Sequence, residues 1–245
     1  MWKKEVIIEV KDYTIIWKGN KHTNKSSRRG YIPTIIVDHI TEGSANSAIN
    51  WFTTPTNNVS SAHFLVSRDG QIYQFVKIED NAWANGLKAK DISISKAEIV
   101  KEKEVNPNWY SVSIEHEGIY NKTKGALTEV QLEATIWLHQ YIIDYIKKKW
   151  DVKIPVDRKH ILGHYEIDPI KKPNCPGEKY PFEQILNRLN SKEVFNDIKG
   201  HWAEKYIMIV AQEQIMIGFP DGEFKPDKQI TRAELAKVIA ILLNE

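Results

Sequence analysis

The chain has 245 residues, of which 42% are apolar, so a packed core in one or two domains is expected. The net charge of +2 gives no argument for nucleic acid or an anionic membrane as a partner, and the single cysteine excludes an intramolecular disulfide. No run of about 18 apolar residues is present, so no membrane-spanning helix is expected.

The first part of the chain has the pattern of a mixed α and β domain. Short β-branched or alternating apolar runs predict its strands. These predicted strands are Val6–Val10, Thr14–Trp17, Pro33–His39, Ala62–Ser67, Gln71–Val76 and Tyr110–Glu115. The dipeptide Asp69-Gly70 stands between two of the runs, which predicts that they form a hairpin.

The clearest helix is predicted from Thr128 to Trp150. Thr128 and Gln131 fit a capping box at its start, and Lys147–Lys149 lie in its last turn, where cations suit the helix dipole. A short helix over Pro181–Leu189 is predicted to close the domain.

The pattern turns polar at residues 190–193, where we place a linker. It divides the chain into a first domain, residues 1–190, and a small helical unit, residues 195–245. The predicted elements of that unit are a helix Trp202–Gln214, a turn Gly218–Gly222, and a helix Ala233–Leu243 opened by a capping box of Thr231 and Glu234.

Three side chains, His39, His164 and Cys175, form a candidate metal site. A hydrolytic zinc site needs three protein ligands and an open position for water. Their spacing alone is weak support, because a histidine at a strand end is commonly structural and a lone cysteine is commonly a small buried apolar residue. His160, four residues before His164, offers an alternative metal pair if that segment is helical.

Several segments in order resemble the zinc N-acetylmuramoyl-L-alanine amidases related to bacteriophage lysozyme-amidases and peptidoglycan recognition proteins. The resemblance covers roughly residues 25–190 and implies an α/β (α+β) fold, with a central mixed sheet flanked by helices. The segments are Tyr31–Thr41, Ser61–Gln74, Ala82-Trp83, Val112–Gly118, Gly163–Ile167 and Asn174–Gly177.

The resemblance implies a chemistry for the candidate site. His39, His164 and Cys175 match the family's zinc ligands, and Glu115 matches its catalytic carboxylate. Zinc lowers the pKa of water toward about 7 and polarises the amide carbonyl, while Glu115 would take the proton and pass it to the leaving amine. The implied reaction is cleavage of the bond between N-acetylmuramic acid and L-alanine in peptidoglycan.

The chain departs from the family pattern near the predicted reaction centre. The family lysine that stabilises the oxyanion stands two residues before the third ligand, where this chain has Pro173. Lys172, one residue further away, is the candidate for that role. Some members have a catalytic tyrosine where this chain has Ala62, so Glu115 must serve instead.

A second departure concerns predicted substrate contacts. The family often has Trp-His-Ala-Gly where this chain has Trp83-Ala84-Asn85-Gly86. We expect Trp83 and Asn85 to contact substrate. Because the family's histidine in this segment is not a zinc ligand, its replacement should alter substrate contacts and leave the metal site intact. His63 is expected in the core or behind the ligands.

The C-terminal unit resembles one surface-layer homology module. Such modules are implied to bind anionic, pyruvylated secondary cell-wall polysaccharide, in which an arginine suits a carboxylate. The residues matched to the module's binding site are Trp202, Gly218, Asp221, Gly222 and Arg232. These modules usually occur in threes, so a single copy implies self-association of three chains, weak binding, or a vestigial unit.

The whole pattern predicts an endolysin acting on Gram-positive-type walls. The first nine residues carry Glu5 and Glu9 and lack the apolar stretch of a secretory signal. We therefore expect synthesis in the cytoplasm and action at the wall after phage-type release or non-classical secretion. Two alternatives are a non-catalytic peptidoglycan-binding protein and a structural protein anchored by its C-terminal unit.

Overall fold

The computed structural model describes residues 13–191, 195, 197–212, 215–216, 218–219 and 222–243. The predicted strand Val6–Val10 and the predicted site residue Asp221 lie outside these residues. The chain divides into two compact units between Tyr180 and Pro181, here called the N-terminal and C-terminal units.

The N-terminal unit is built on a mixed sheet, as predicted. Six strands form it in the order β1-β5-β4-β7-β3-β8, and only the β4–β5 pair is antiparallel. Strands β2 and β6 form a separate antiparallel pair, which the sequence patterns did not predict. The strands are β1 Ile15–Trp17, β2 Lys25–Ser27, β3 Ile35–Ile40, β4 Phe64–Val66, β5 Ile72–Gln74, β6 Asp80–Ala82, β7 Ser111–His116 and β8 Ile161–Gly163.

Helices of the N-terminal unit flank this sheet, and the C-terminal unit has three helices of its own in the part that the structure describes. The predicted capping box of Thr128 and Gln131 is present at the start of α4, where it satisfies backbone amides that the helix leaves unpaired. The helices are α1 Ala45–Thr53, α2 Glu98–Lys103, α3 Tyr120–Thr123, α4 Glu129–Trp150, α5 His164–Ile167, α6 Phe182–Ser191, α7 Glu204–Gln212 and α8 Arg232–Leu243.

Strand β3 is the element that positions the candidate site. All six of its residues are buried, and it lies between the parallel strands β7 and β8. His39 is opposite Glu115 in the β3–β7 register, and Asp38 is opposite Gly163 in the β3–β8 register. Because the three strands are parallel, their carboxyl ends meet at one edge of the sheet, where sites commonly form in α/β proteins.

The C-terminal unit has a small apolar cluster of its own. Phe195, Ile198, Ile207 and Ala211 are buried together, and the Phe195 and Phe224 rings stack edge to face at 5.0 Å. The predicted Thr231–Glu234 capping box is present at the start of α8. In the part of the chain that the structure describes, no helix combines the length and apolar character needed to cross a bilayer.

Candidate metal centre

The three predicted metal ligands converge. The candidate ligand atoms of His39, His164 and Cys175 all lie within 4.8 Å of one another, although 125 and 136 positions separate the two later residues from the first. Cys175 Sγ is 3.8 Å from His39 Nδ1. Tetrahedral zinc with ordinary Zn–N and Zn–S bonds separates such a pair by about 3.6 Å, so this donor set fits zinc.

A short, closely packed loop brings Cys175 to the ends of the strands. The Tyr165 amide donates to the Cys175 carbonyl at 2.8 Å, and the Ile40 amide donates to Cys175 Sγ at 3.4 Å. Gly163, the last residue of β8, allows this approach, because a Cβ there would lie 2.8 Å from Pro176 Cδ. Hydrogen bonds from the backbone amides of Ile40 and Tyr165 therefore hold Cys175 next to the segments that carry His39 and His164.

Burial sets the protonation of the three ligands. It lowers the pKa of His164 to about 3 and that of His39 well below its usual value, and the nearby Lys172 charge lowers both further. Both imidazoles are thus neutral, as metal ligands must be. Burial, and next the charge of Glu115, raise the pKa of the Cys175 thiol. A cation bound beside the sulfur would reverse that preference.

Glu115 and Lys172 supply the remaining charges at the site. Glu115 lies beside His39 in the sheet, and its Oε2 is buried without a hydrogen-bond partner among the described residues. Burial raises the pKa of Glu115 to about 7, while the Lys172 charge opposes the shift. The side chain of Lys172 is exposed, but its charge acts on Glu115 and all three candidate ligands.

Two other histidines lie apart from this group. His63 is fully buried, with Nε2 2.9 Å from Arg28 Nη2 and Nδ1 accepting from the Ser113 amide at 3.0 Å. His160 is on a turn, where its Nδ1 lies 2.7 Å from Asp157 Oδ1. The segment Ile161–Gly163 between His160 and His164 is a strand, so the helix on which the alternative metal pair depended is not formed.

The two predicted substrate-contact residues occupy different environments. Trp83 is 36% exposed and lines a polar groove of about 540 Å³ beside Asn81 and Trp109. Asn85 is only 1% exposed, and its amide donates to Ser111 Oγ at 2.9 Å. The Asn85 side chain is therefore buried in this conformation, and its predicted contact with substrate stays a prediction.

Sequence patterns missed a buried polar network behind the metal centre, on the opposite face of β3. Asp38 Oδ2 is 3.3 Å from His139 Nε2 of α4. His116 donates from Nδ1 to the His39 carbonyl at 3.0 Å and accepts at Nε2 from the Tyr180 hydroxyl at 3.2 Å. The available signal was Asp38 inside an apolar strand and His139 on the apolar face of a helix, because a buried polar residue needs a partner.

The predicted polysaccharide-binding residues lie in the C-terminal unit. Trp202 is 80% exposed, and Arg232 is exposed at the first position of α8. Gly218 and Gly222 are partly buried loop residues. A separate cavity of about 260 Å³ is lined by Phe219, Phe224, Lys228 and other residues.

Comparisons with known proteins match the two units to two families. Residues 28–178 match the family described as N-acetylmuramoyl-L-alanine amidase, and residues 194–236 match the S-layer homology domain. The first match covers more than half of the chain. The chain belongs to the N-acetylmuramoyl-L-alanine amidase family and carries a C-terminal S-layer homology segment.

Individual relatives match parts of the chain. N-acetylmuramoyl-L-alanine amidase A of Achromobacter lyticus is 34% identical over 104 residues, which is 42% of this chain and 47% of that protein. The cellulosome-anchoring protein of Acetivibrio thermocellus is 50% identical over 50 residues, which is 20% of this chain and 11% of that protein. The chain thus spans less than half the length of either relative.

A solved structure shares the fold of the N-terminal unit. The crystal structure of a selenomethionine derivative of AmpD aligns with a TM-score of 0.52 at 21% identity, covering 71% of this chain and 93% of that one. The likeness agrees with the mixed sheet and flanking helices predicted from the sequence.

Proposed function

We propose that the chain is a zinc-dependent peptidoglycan hydrolase that cleaves the amide between N-acetylmuramic acid and L-alanine. The observation that carries this proposal is the convergence of the ligand atoms of His39, His164 and Cys175 next to Glu115, whose Oε2 has no hydrogen-bond partner in the described part of the chain. The family match and the amidase relative from Achromobacter lyticus support the choice of bond.

Each residue has a distinct part in the proposed reaction. Bound zinc would activate water and polarise the amide carbonyl. Glu115 accepts the proton of the attacking water as the new C–O bond forms. It then donates that proton to the leaving nitrogen, and the C–N bond breaks as the carbonyl reforms. The Lys172 ammonium stabilises the negative charge that develops on the carbonyl oxygen. The products are a muramic acid carboxylate and a peptide with a free L-alanine amine.

Mass spectrometry of digested peptidoglycan tests both the bond and the metal. We expect new L-alanine amines with the intact protein, and their loss after chelation or in Cys175→Ser. His160→Ala is the matched control, because this histidine is four residues from His164 but outside the ligand group. Intact walls after treatment with zinc-loaded protein would refute hydrolysis, and tight muropeptide binding without turnover would identify a non-catalytic binding protein.

For the C-terminal unit we propose binding to an anionic secondary cell-wall polysaccharide. The exposed Trp202 offers a stacking surface and the exposed Arg232 a bidentate partner for a carboxylate. Trp202→Ala and Arg232→Ala should each reduce sedimentation with purified walls, without changing release of amines from soluble muropeptides. Unchanged sedimentation of both variants would contradict this assignment.

We propose that α8 also mediates self-association. None of its residues is buried, and Leu235, Ile239, Leu242 and Leu243 are each at least 46% exposed. An apolar helix left this open is stabilised by packing against another copy. Light scattering should show oligomers for the intact chain and monomers for Leu235→Gln/Ile239→Gln. An intact chain that is monomeric by light scattering would refute self-association through α8.

An endolysin role is the finer form of the proposal. Protein added to intact Gram-positive-type cells should then lower their turbidity, and Glu115→Gln should not. Activity on purified walls without lysis of intact cells would restrict the protein to wall remodelling.

A further inference from the structure

Two buried polar atoms at the metal centre have no hydrogen-bond partner among the described residues. They are Nε2 of His39 and Oδ1 of Asn85. Asn85 contacts Ser111 and Ser113 of β7 on the face of the sheet that also carries His39, because Ser113 is opposite Val37 in the β3–β7 register and side chains two residues apart share a face. In this structure the two atoms do not form a hydrogen bond of ordinary geometry. Catalytic-site hydrogen bonds are often long before ligand binding and tighten afterwards.

The surroundings of Asn85 fix which end of its amide faces His39. Its backbone N–H donates to Asn108 Oδ1 at 2.6 Å, and its Nδ2 donates to Ser111 Oγ at 2.9 Å. Ser113 Oγ, on the same face of β7, is a second acceptor at 3.5 Å. Because Asn85 Nδ2 donates to the two serines, Asn85 Oδ1 is the atom of the carboxamide that can accept a hydrogen bond from the imidazole.

The two nitrogens of His39 have separate surroundings. Nδ1 is 3.8 Å from the sulfur of Cys175, whereas Nε2 is buried without a hydrogen-bond partner among the described residues. A histidine that binds a metal through one nitrogen carries its proton on the other, and an acceptor there fixes both the tautomer and the ring orientation.

We propose that Asn85 is a positioning residue for the metal: its carboxamide oxygen accepts a hydrogen bond from Nε2–H of His39, which keeps Nδ1 free to bind zinc. The inference rests on the proposed zinc site and adds a role for a residue that the sequence had suggested as a substrate contact. Where the related pattern Trp-His-Ala-Gly has alanine, this chain has a carboxamide that can make the contact.

Zinc affinity, measured by competition with a chromophoric chelator at fixed pH, tests the role without an activity assay. Asn85→Ala should weaken zinc binding about 10- to 100-fold, the usual effect of losing a partner of a metal-bound histidine. Asn85→Asp loses the amide donor but keeps an acceptor oxygen, so it should bind zinc at least as tightly as the intact chain. Asn57→Ala is the control, since that buried amide donates to the Trp51 and Ser60 carbonyls and should leave affinity unchanged.

A direct observation on the intact protein does not depend on the folding of any variant. In the zinc-loaded, ¹⁵N-histidine-labelled chain, we expect a slowly exchanging Nε2–H proton assigned to His39. Absence of that proton, equal zinc affinity of Asn85→Ala and the intact chain, or a loss in Asn85→Asp equal to that in Asn85→Ala would each overturn the role of Asn85. An intact chain that binds no zinc would instead refute the proposed function itself.

Discussion

Replacing His139 with leucine tests the buried pair behind the metal centre. His139 and Asp38 are both fully buried, with Nε2 3.3 Å from Oδ2. Burial lowers the pKa of His139, but the Asp38 charge and hydrogen bond more than offset it, so the pKa is raised. Burial likewise raises the pKa of Asp38, but His139, with smaller contributions from His116 and Tyr180, more than offsets it, so this pKa is lowered. Both groups are therefore ionised, and losing the imidazolium leaves a buried carboxylate at a cost of about 3–5 kcal/mol.

Urea unfolding of metal-free protein, in a cycle with Asp38→Asn and the double variant, measures the pair. The double variant should lose less stability than the sum of the single losses, by about 1–3 kcal/mol. The contribution of His139 to the free energy of unfolding is complete below about pH 6.5 and is lost as pH rises through the raised pKa of the folded state. The contribution of Asp38 is complete above about pH 4 and is lost as pH falls through the lowered pKa of the folded state. Coupling should thus be largest between about pH 4 and 6.5, and additive losses at pH 5.5 would refute an ionised pair.

Four further predictions concern the reaction edge of the sheet. Glu115→Gln should lower kcat about 10²- to 10⁴-fold with zinc content unchanged, measured by amine release and metal analysis, and loss of zinc would instead indicate a ligand role. Since burial raises the Glu115 pKa to about 7 and cations lower it, the activity of the intact chain should fall with decreasing pH below about 7. Lys172→Ala should lower kcat about tenfold or more and move that fall to higher pH, and an unmoved profile would separate Lys172 from Glu115. Gly163→Ala should destabilise the fold by about 1–3 kcal/mol in thermal unfolding, because its Cβ would meet the Tyr165 ring at 2.7 Å and Pro176 Cδ at 2.8 Å, and wild-type stability would contradict that packing.

Local patterns predicted the elements whose signals are local. The capping box of Thr128 and Gln131 and the Asp69-Gly70 hairpin depend on neighbouring residues, and both are confirmed. The β2–β6 pair was not predicted, because Lys25–Ser27 are exposed and carry no apolar alternation.

In the candidate site, too, some residues were identified from the sequence and others were placed only by the structure. His39, His164 and Cys175 were identified through their resemblance to a family, and the structure brings them together. Asn85 is expected from the sequence to contact substrate, yet its side chain is buried, because Asn108 and Ser111 hold it by hydrogen bonds. The spacing of residues along the chain contains no information about which face of a loop turns inward.

The sequence by itself determined which chemical groups are available: two imidazoles, one thiol and one carboxylate. It placed His39 and Glu115 at the ends of predicted strands and Cys175 in a Pro/Gly loop, but it predicted no element for His164. Only the tertiary structure decided their protonation and their partners. Parallel packing of β3, β7 and β8 brings distant segments to one edge and removes them from water. Burial then shifts the pKa values of Glu115 and the ligands, and it pairs Asp38 with His139 across 101 positions. Desolvation depends on what surrounds a group in space, and that is fixed only when the sheet and its helices assemble.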